Sequence, residues 1–81
     1  MTTPLTHALV RQQIADLAGV SIDDVTDDAN LMDVGLDSMR AMRLVQRWVD
    51  GGIAVDFAEL AEVPTLAHWW SVLARVGGAR P

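Results

Sequence analysis

Apolar residues recur at helical spacing in three stretches of the chain, which predicts three amphipathic helices. In the first, Leu5, Leu9, Ile14 and Leu17 follow Thr3-Pro4 and precede Gly19. Proline is tolerated at the first helical position and glycine just past the last, so these residues bracket the helix. In the second, a rotation of about 100° per residue puts Ala41, Leu44, Val45, Trp48 and Val49 on one side of a segment from Ser38 to about Asp50. Arg40, Arg43 and Arg47 cluster on the other side, and Met39 lies off the apolar stripe. Asp37 supplies the short oxygen acceptor that a helix start requires, and Gly51-Gly52 stops the run. The last stretch carries Leu66, Trp69, Trp70, Leu73 and Val76 behind a capping Thr65, with Gly77-Gly78 beyond. Between the second and last stretches, Ile53-Ala54-Val55 crosses back. Asp56 to Ala61 then has room for a short helix of one or two turns, ended by Val63-Pro64-Thr65.

From Val20 to Leu36 the periodicity fails. Asp accumulates there, and the isolated apolar residues Ile22, Val25, Leu31, Met32 and Val34 can pin a long loop onto a core. Connections beyond about 12 to 15 residues are uncommon in compact domains and tend to serve a purpose. The expectation is therefore an all-α, four-helix bundle with a long loop between the first and second helices and a short third helix. A single domain spans 1–81, with a core over about 5–76 and a flexible tail over 77–81.

Composition narrows the function classes. Six Lys+Arg stand against 11 Asp+Glu, a net charge of −5, and all six bases are Arg. With no aromatic residues interleaved among them, nucleic acid is not an expected partner. Hydrophobic residues make up 51% and charged residues 21%, too apolar for disorder and too interrupted by charge for a membrane span. There is no Cys, so packing alone must hold a core of this size, and a reducing cytoplasm is the expected location. No basic stretch followed by an apolar run opens the sequence, so no secretory leader is expected. The Asp-rich stretch fails the calcium-loop register from each start, and His7 and His68 lack a second ligand at metal spacing. No metal site is expected.

Between Arg11 and Arg40 there are seven Asp (16, 23, 24, 27, 28, 33 and 37) and no base, and Gly35-Leu36-Asp37-Ser38-Met39 closes the run. It resembles the signature of the carrier proteins of fatty acid, polyketide and nonribosomal peptide synthesis, where the Ser of a G-x-D-S motif bears a 4'-phosphopantetheine arm. The predicted element order matches that family's four-helix bundle over residues 5–76. Arg40, Arg47-Trp48, Val55-Asp56-Phe57, Leu60-Ala61, Pro64-Thr65 and Trp69-Trp70 are further similar to aryl carrier domains, which hold aryl acids for siderophore-type peptide assembly.

The resemblance implies that Ser38 takes the arm from CoA by the action of a phosphopantetheinyl transferase, with Asp37 helping that enzyme to recognise the serine. It implies an aryl-acid adenylating ligase that loads the thiol and a condensing enzyme that unloads it. Leu36, Met39, Arg40, Met42, Arg43, Phe57, Leu60 and Ala61 are the expected partner contacts, with Phe57 and Leu60 equally suited to the core. Many fatty-acid carriers present an acidic second helix, whereas Arg40, Arg43 and Arg47 make this one basic, which favours a nonribosomal type.

The residues support this chemistry on their own terms. A helix N-terminus has free N–H groups and partial positive charge, so a phosphodiester on Ser38 sits where an anion is best tolerated. No general base lies near Ser38 in sequence, and Arg40 occupies the second glycine position of a nucleophile elbow. A carrier without catalytic residues, monomeric and bound only transiently by each partner, is therefore expected. The alternatives are a peptidyl or polyketide carrier, and a helical interaction module without a prosthetic group that uses Met39 and Met42 as a sticky face. Trp48, Trp69 and Trp70 are expected to pack rather than to hold cargo.

Overall fold

A computed structural model describes residues 5–76. Among them, α1 is His7–Ala18, α2 Leu31–Val34, α3 Ser38–Asp50, α4 Phe57–Glu62 and α5 Leu66–Arg75, with a 3-10 turn at Ile22–Asp24. The fold is the expected small all-α bundle: α1, α3 and α5 are the three helices anticipated from the periodicity, and α4 is the short helix expected between the last two. The proposed tail over 77–81 lies outside the described residues.

Side-chain oxygens open every α-helix. Thr6 accepts from Leu9 N, Asn30 from Met32 N, Asp37 from Arg40 N, Asp56 from Ala58 N and Thr65 from His68 N. The first of these corrects the expected start. Thr6, rather than Thr3-Pro4, caps α1, and Leu5 lies before the helix with its side chain buried. Thr3 and Pro4 themselves fall outside the described residues. At the other end Gly19 adopts φ +73° and its N–H returns to the Ala15 carbonyl, a left-handed stop that favours glycine.

The 20–36 segment is not a plain loop. Asn30 initiates a single turn, α2, and Gly35 closes it with its N–H on the Leu31 carbonyl. Val25, Leu31 and Leu36 are sealed in the core, while Ile22, Met32 and Val34 pack against it partly exposed. Backbone and side-chain bonds hold the segment on both flanks. Arg11 Nε donates to the Val25 carbonyl at 2.7 Å, Leu31 N to the Pro64 carbonyl at 2.8 Å and Ala67 N to the Asp27 carbonyl at 3.2 Å.

The interior is apolar throughout the described residues, with no buried polar or charged side chain. Ile14, Leu31, Leu44, Leu60, Trp69 and Leu73, drawn from all five helices, are fully enclosed. Trp48 and Trp69 meet edge to face with centroids 6.3 Å apart, a favoured aromatic geometry. The Trp48 indole N–H donates to Gln13 Oε1 at 3.0 Å. Trp70 is half-buried, its ring edge-on to His7. One position on the expected stripe turns outward: Val49 is exposed, because the apolar arc of α3 narrows to Ala41, Leu44, Val45 and Trp48. No helix among the described residues is long and apolar enough to cross a membrane.

Candidate functional site

The turn from α2 into α3 places Ser38 at the first helical position, directly after its cap. Asp37 adopts an extended conformation (φ −71°, ψ 170°), and its Oδ1 accepts the Arg40 N–H at 2.8 Å. That satisfies one of the first-turn donors that helix geometry leaves free. The N–H groups of Ser38 and Met39 stay available at the positive end of the α3 dipole. Leu36 anchors the approach from below: its side chain is fully buried and its N–H bonds the Leu31 carbonyl at 3.0 Å.

Ser38 itself is exposed, and no side chain among the described residues hydrogen-bonds its hydroxyl. The two histidines are occupied elsewhere. His7 Nε2 lies 2.9 Å from Asp27 Oδ1, and His68 Nε2 lies 3.1 Å from the Glu59 carbonyl oxygen. Among the described residues no histidine or carboxylate is hydrogen-bonded to the Ser38 hydroxyl, the contact that activates a serine nucleophile.

Beside Ser38 runs an open groove of about 590 Å³ along the outer face of α3, lined by Ser38, Met39, Met42, Arg43 and Gln46. Met39 and Met42 are 66% and 55% exposed, the two most exposed large apolar side chains among the described residues. A thioether adapts to differently shaped neighbours, which suits a surface visited by several partners in turn. Gln46 completes the row Ser38, Met42, Gln46 at four-residue intervals. Sequence reasoning did not single it out, although that interval was the signal available.

The structure does not bring all the expected contact residues together. Met39, Met42 and Arg43 flank Ser38, while Phe57, Leu60 and Ala61 sit on α4 and do not line the groove. Leu36 is corrected, being 0% exposed and so closed to a partner, and Leu60, also 0% exposed, takes the core place that was equally open to it. Phe57 is half-buried against the core, and Ala61 is exposed. The three arginines also separate. Arg40 Nη1 donates to the Leu17 carbonyl at 3.0 Å and its Nε lies 3.9 Å from Asp37 Oδ2, whereas Arg43 and Arg47 have no ion pair or side-chain hydrogen bond among the described residues. No group of three His, Asp or Glu side chains among the described residues is arranged to hold a metal ion.

An exposed primary hydroxyl, at a helix N-terminus and beside an open apolar groove, fits a covalently attached phosphate-linked arm. Comparison with known proteins agrees. Residues 8–70 match the family described as a phosphopantetheine attachment site. The chain is 45% identical over 73 residues to phenyloxazoline synthase MbtB of Mycobacterium tuberculosis, which covers 90% of this chain and 5% of that protein. It is 43% identical over 72 residues to enterobactin synthase component B of Escherichia coli, covering 89% of this chain and 25% of that protein. With acyl carrier protein ScoB of Streptomyces coeruleorubidus it shares 40% identity over 80 residues, 98% of this chain and 94% of that one. The chain thus spans about a twentieth of the length of the phenyloxazoline synthases it matches. No solved structure matches it.

Proposed function

Because the chain belongs to the phosphopantetheine attachment family, whose members are defined by a covalently bound 4'-phosphopantetheine, we propose that it is an aryl carrier protein with the arm on Ser38. The observation that carries this reading is the exposed Ser38 hydroxyl at the start of α3, capped by Asp37 and flanked by an open groove. Bound there, the arm supplies a thiol that holds an acyl group as a thioester.

Ser38 Oγ forms the new bond to phosphorus of CoA, 3',5'-adenosine bisphosphate leaves, and the hydroxyl proton goes to a base of the transferase, since this chain offers none. The N–H groups of the α3 first turn face the resulting phosphodiester, and Asp37 keeps that turn formed. The aryl subtype is supported by the likeness to siderophore-type proteins, enterobactin synthase component B among them. On this reading an adenylating ligase loads the aryl acid, a condensing enzyme removes it, and the cytoplasm supplies the CoA. Met39, Met42 and Arg43 meet these enzymes beside the arm, and Phe57 and Ala61 offer a second contact on α4.

Intact-mass measurement after incubation with CoA and a promiscuous phosphopantetheinyl transferase tests the attachment. One arm is expected on the wild type and none on Ser38→Ala; an unmodified wild type removes the proposal. A screen of acids with the cognate ligase then tests the cargo, and preference for amino acids or malonyl groups over benzoates sinks the aryl subtype.

A further inference from the structure

The final turn of α1 touches the attachment turn on both sides of Ser38. On one side Gly35, at φ +130°, approaches so closely that a Cβ there would lie 3.1 Å from the Ala18 carbonyl oxygen. On the other, Arg40 reaches back across 23 residues of sequence to donate from Nη1 to the Leu17 carbonyl at 3.0 Å. The same guanidinium has its Nε 3.9 Å from Asp37 Oδ2, while Asp37 Oδ1 holds the Arg40 N–H. Carbonyls at a helix C-terminus carry partial negative charge and lack intrahelical donors, so a guanidinium is the natural group to place against them. The last turn of α1 thus packs closely against Gly35, three residues before Ser38, and is hydrogen-bonded through the Leu17 carbonyl to Arg40, two residues after it.

We infer that Arg40 is a positioning residue for Ser38, acting through α1 and Asp37 rather than by touching a partner; the inference rests on Ser38 being the attachment residue. A serine hydroxyl has one rotatable bond, so the direction in which Oγ can be presented is set by the backbone of the α3 first turn. Arg40 restrains that backbone from the outside, where solvent otherwise favours fraying. Its planar fork suits a two-ended bridge of this kind, which a single ammonium does not reproduce. Arg43, without an intramolecular partner among the described residues and lining the groove, is left as the docking charge.

The roles separate in steady-state modification kinetics with CoA and a phosphopantetheinyl transferase, varying carrier concentration. Loss of orientation reduces turnover in the bound complex, and loss of a docking charge weakens the encounter. Arg40→Ala is expected to lower kcat by about three- to tenfold with KM within about twofold of wild type. Arg43→Ala is expected to raise KM with kcat retained. Arg40→Lys keeps the charge and recovers less than half of the lost kcat. Amide hydrogen exchange supplies a readout without the enzyme: in Arg40→Ala, protection falls at the Arg40 and Ala41 amides and persists in the centres of α1 and α5. An unchanged kcat in Arg40→Ala, or a KM defect that Arg40→Lys restores in full, overturns the inference. If Arg40→Ala does not fold, Arg40→Gln and Arg40→Lys give the same kcat comparison. A wild type that accepts no arm defeats the Ser38 assignment before any variant is made, and this inference with it.

Discussion

The indole N–H of Trp69 donates to the Leu60 carbonyl at 2.8 Å inside the core. In a continued helix that carbonyl would receive the N–H of the residue four positions on, but that residue is Pro64, which has none. His68 Nε2 meets the neighbouring Glu59 carbonyl at 3.1 Å. Two ring nitrogens from the first turn of α5 thus complete the open end of α4, and the short helix owes its definition to the element that follows it.

Trp69→Phe keeps most of the buried ring but strands the Leu60 carbonyl. A buried acceptor without its donor costs about 1–3 kcal/mol. Urea denaturation should show a loss of that size, with the unfolding slope unchanged; no loss would mean that another donor reaches the carbonyl.

At Gly35 the backbone sits at φ +130° and the space toward Ala18 is closed, whereas Gly19 at φ +73° has nothing within 4 Å of an added Cβ. Gly35→Ala therefore combines backbone strain with a clash and is expected to cost at least about 1–3 kcal/mol. Gly19→Ala carries strain alone, about 1–2 kcal/mol. Thermal melts of the two variants compare directly, and equal losses would show that the Ala18 contact relaxes without cost.

Asp37→Ala removes the α3 cap and should lower stability by about 1 kcal/mol, while Asp37→Asn caps equally well and should stay close to wild type. Measured together with arm installation, the pair divides capping from charge. A stable Asn variant that is modified slowly gives the carboxylate charge a role beyond capping, and the same measurement in an Arg40→Ala background tells whether that role runs through Arg40.

Met39→Ala and Met42→Ala alter side chains that face solvent, so stability should change by less than about 0.5 kcal/mol. Transfer of the loaded acyl group to the proposed condensing enzyme should slow by more than the stability change accounts for. Leu36→Ala and Leu60→Ala make the contrasting pair, expected to destabilise by about 2–5 kcal/mol because both side chains are wholly enclosed.

What was legible in the sequence was local. Asp37 and Thr65 announced their helices because a short oxygen acceptor bonds a donor three residues on, and Gly19 ended α1 as a left-handed glycine does. The G-x-D-S run pointed to Ser38 through its position at a helix start. Asn30 before Leu31-Met32-Asp33-Val34-Gly35 was a cap and a stop at one-turn spacing, and it was obscured by the aperiodic stretch around it. Leu60 read equally as surface or core and Leu36 read as surface, because the burial of both depends on elements distant in the chain. The same holds for Arg40, whose partner Leu17 is 23 positions away.

With every charged side chain of the described fold at its rim, the interior contains nothing that gains or loses a proton. The charges sit at or near the surface, where dissolved ions screen their mutual influence. A carrier of the proposed kind, built this way, keeps the charges that a visiting protein feels apart from the packing that holds its own helices together.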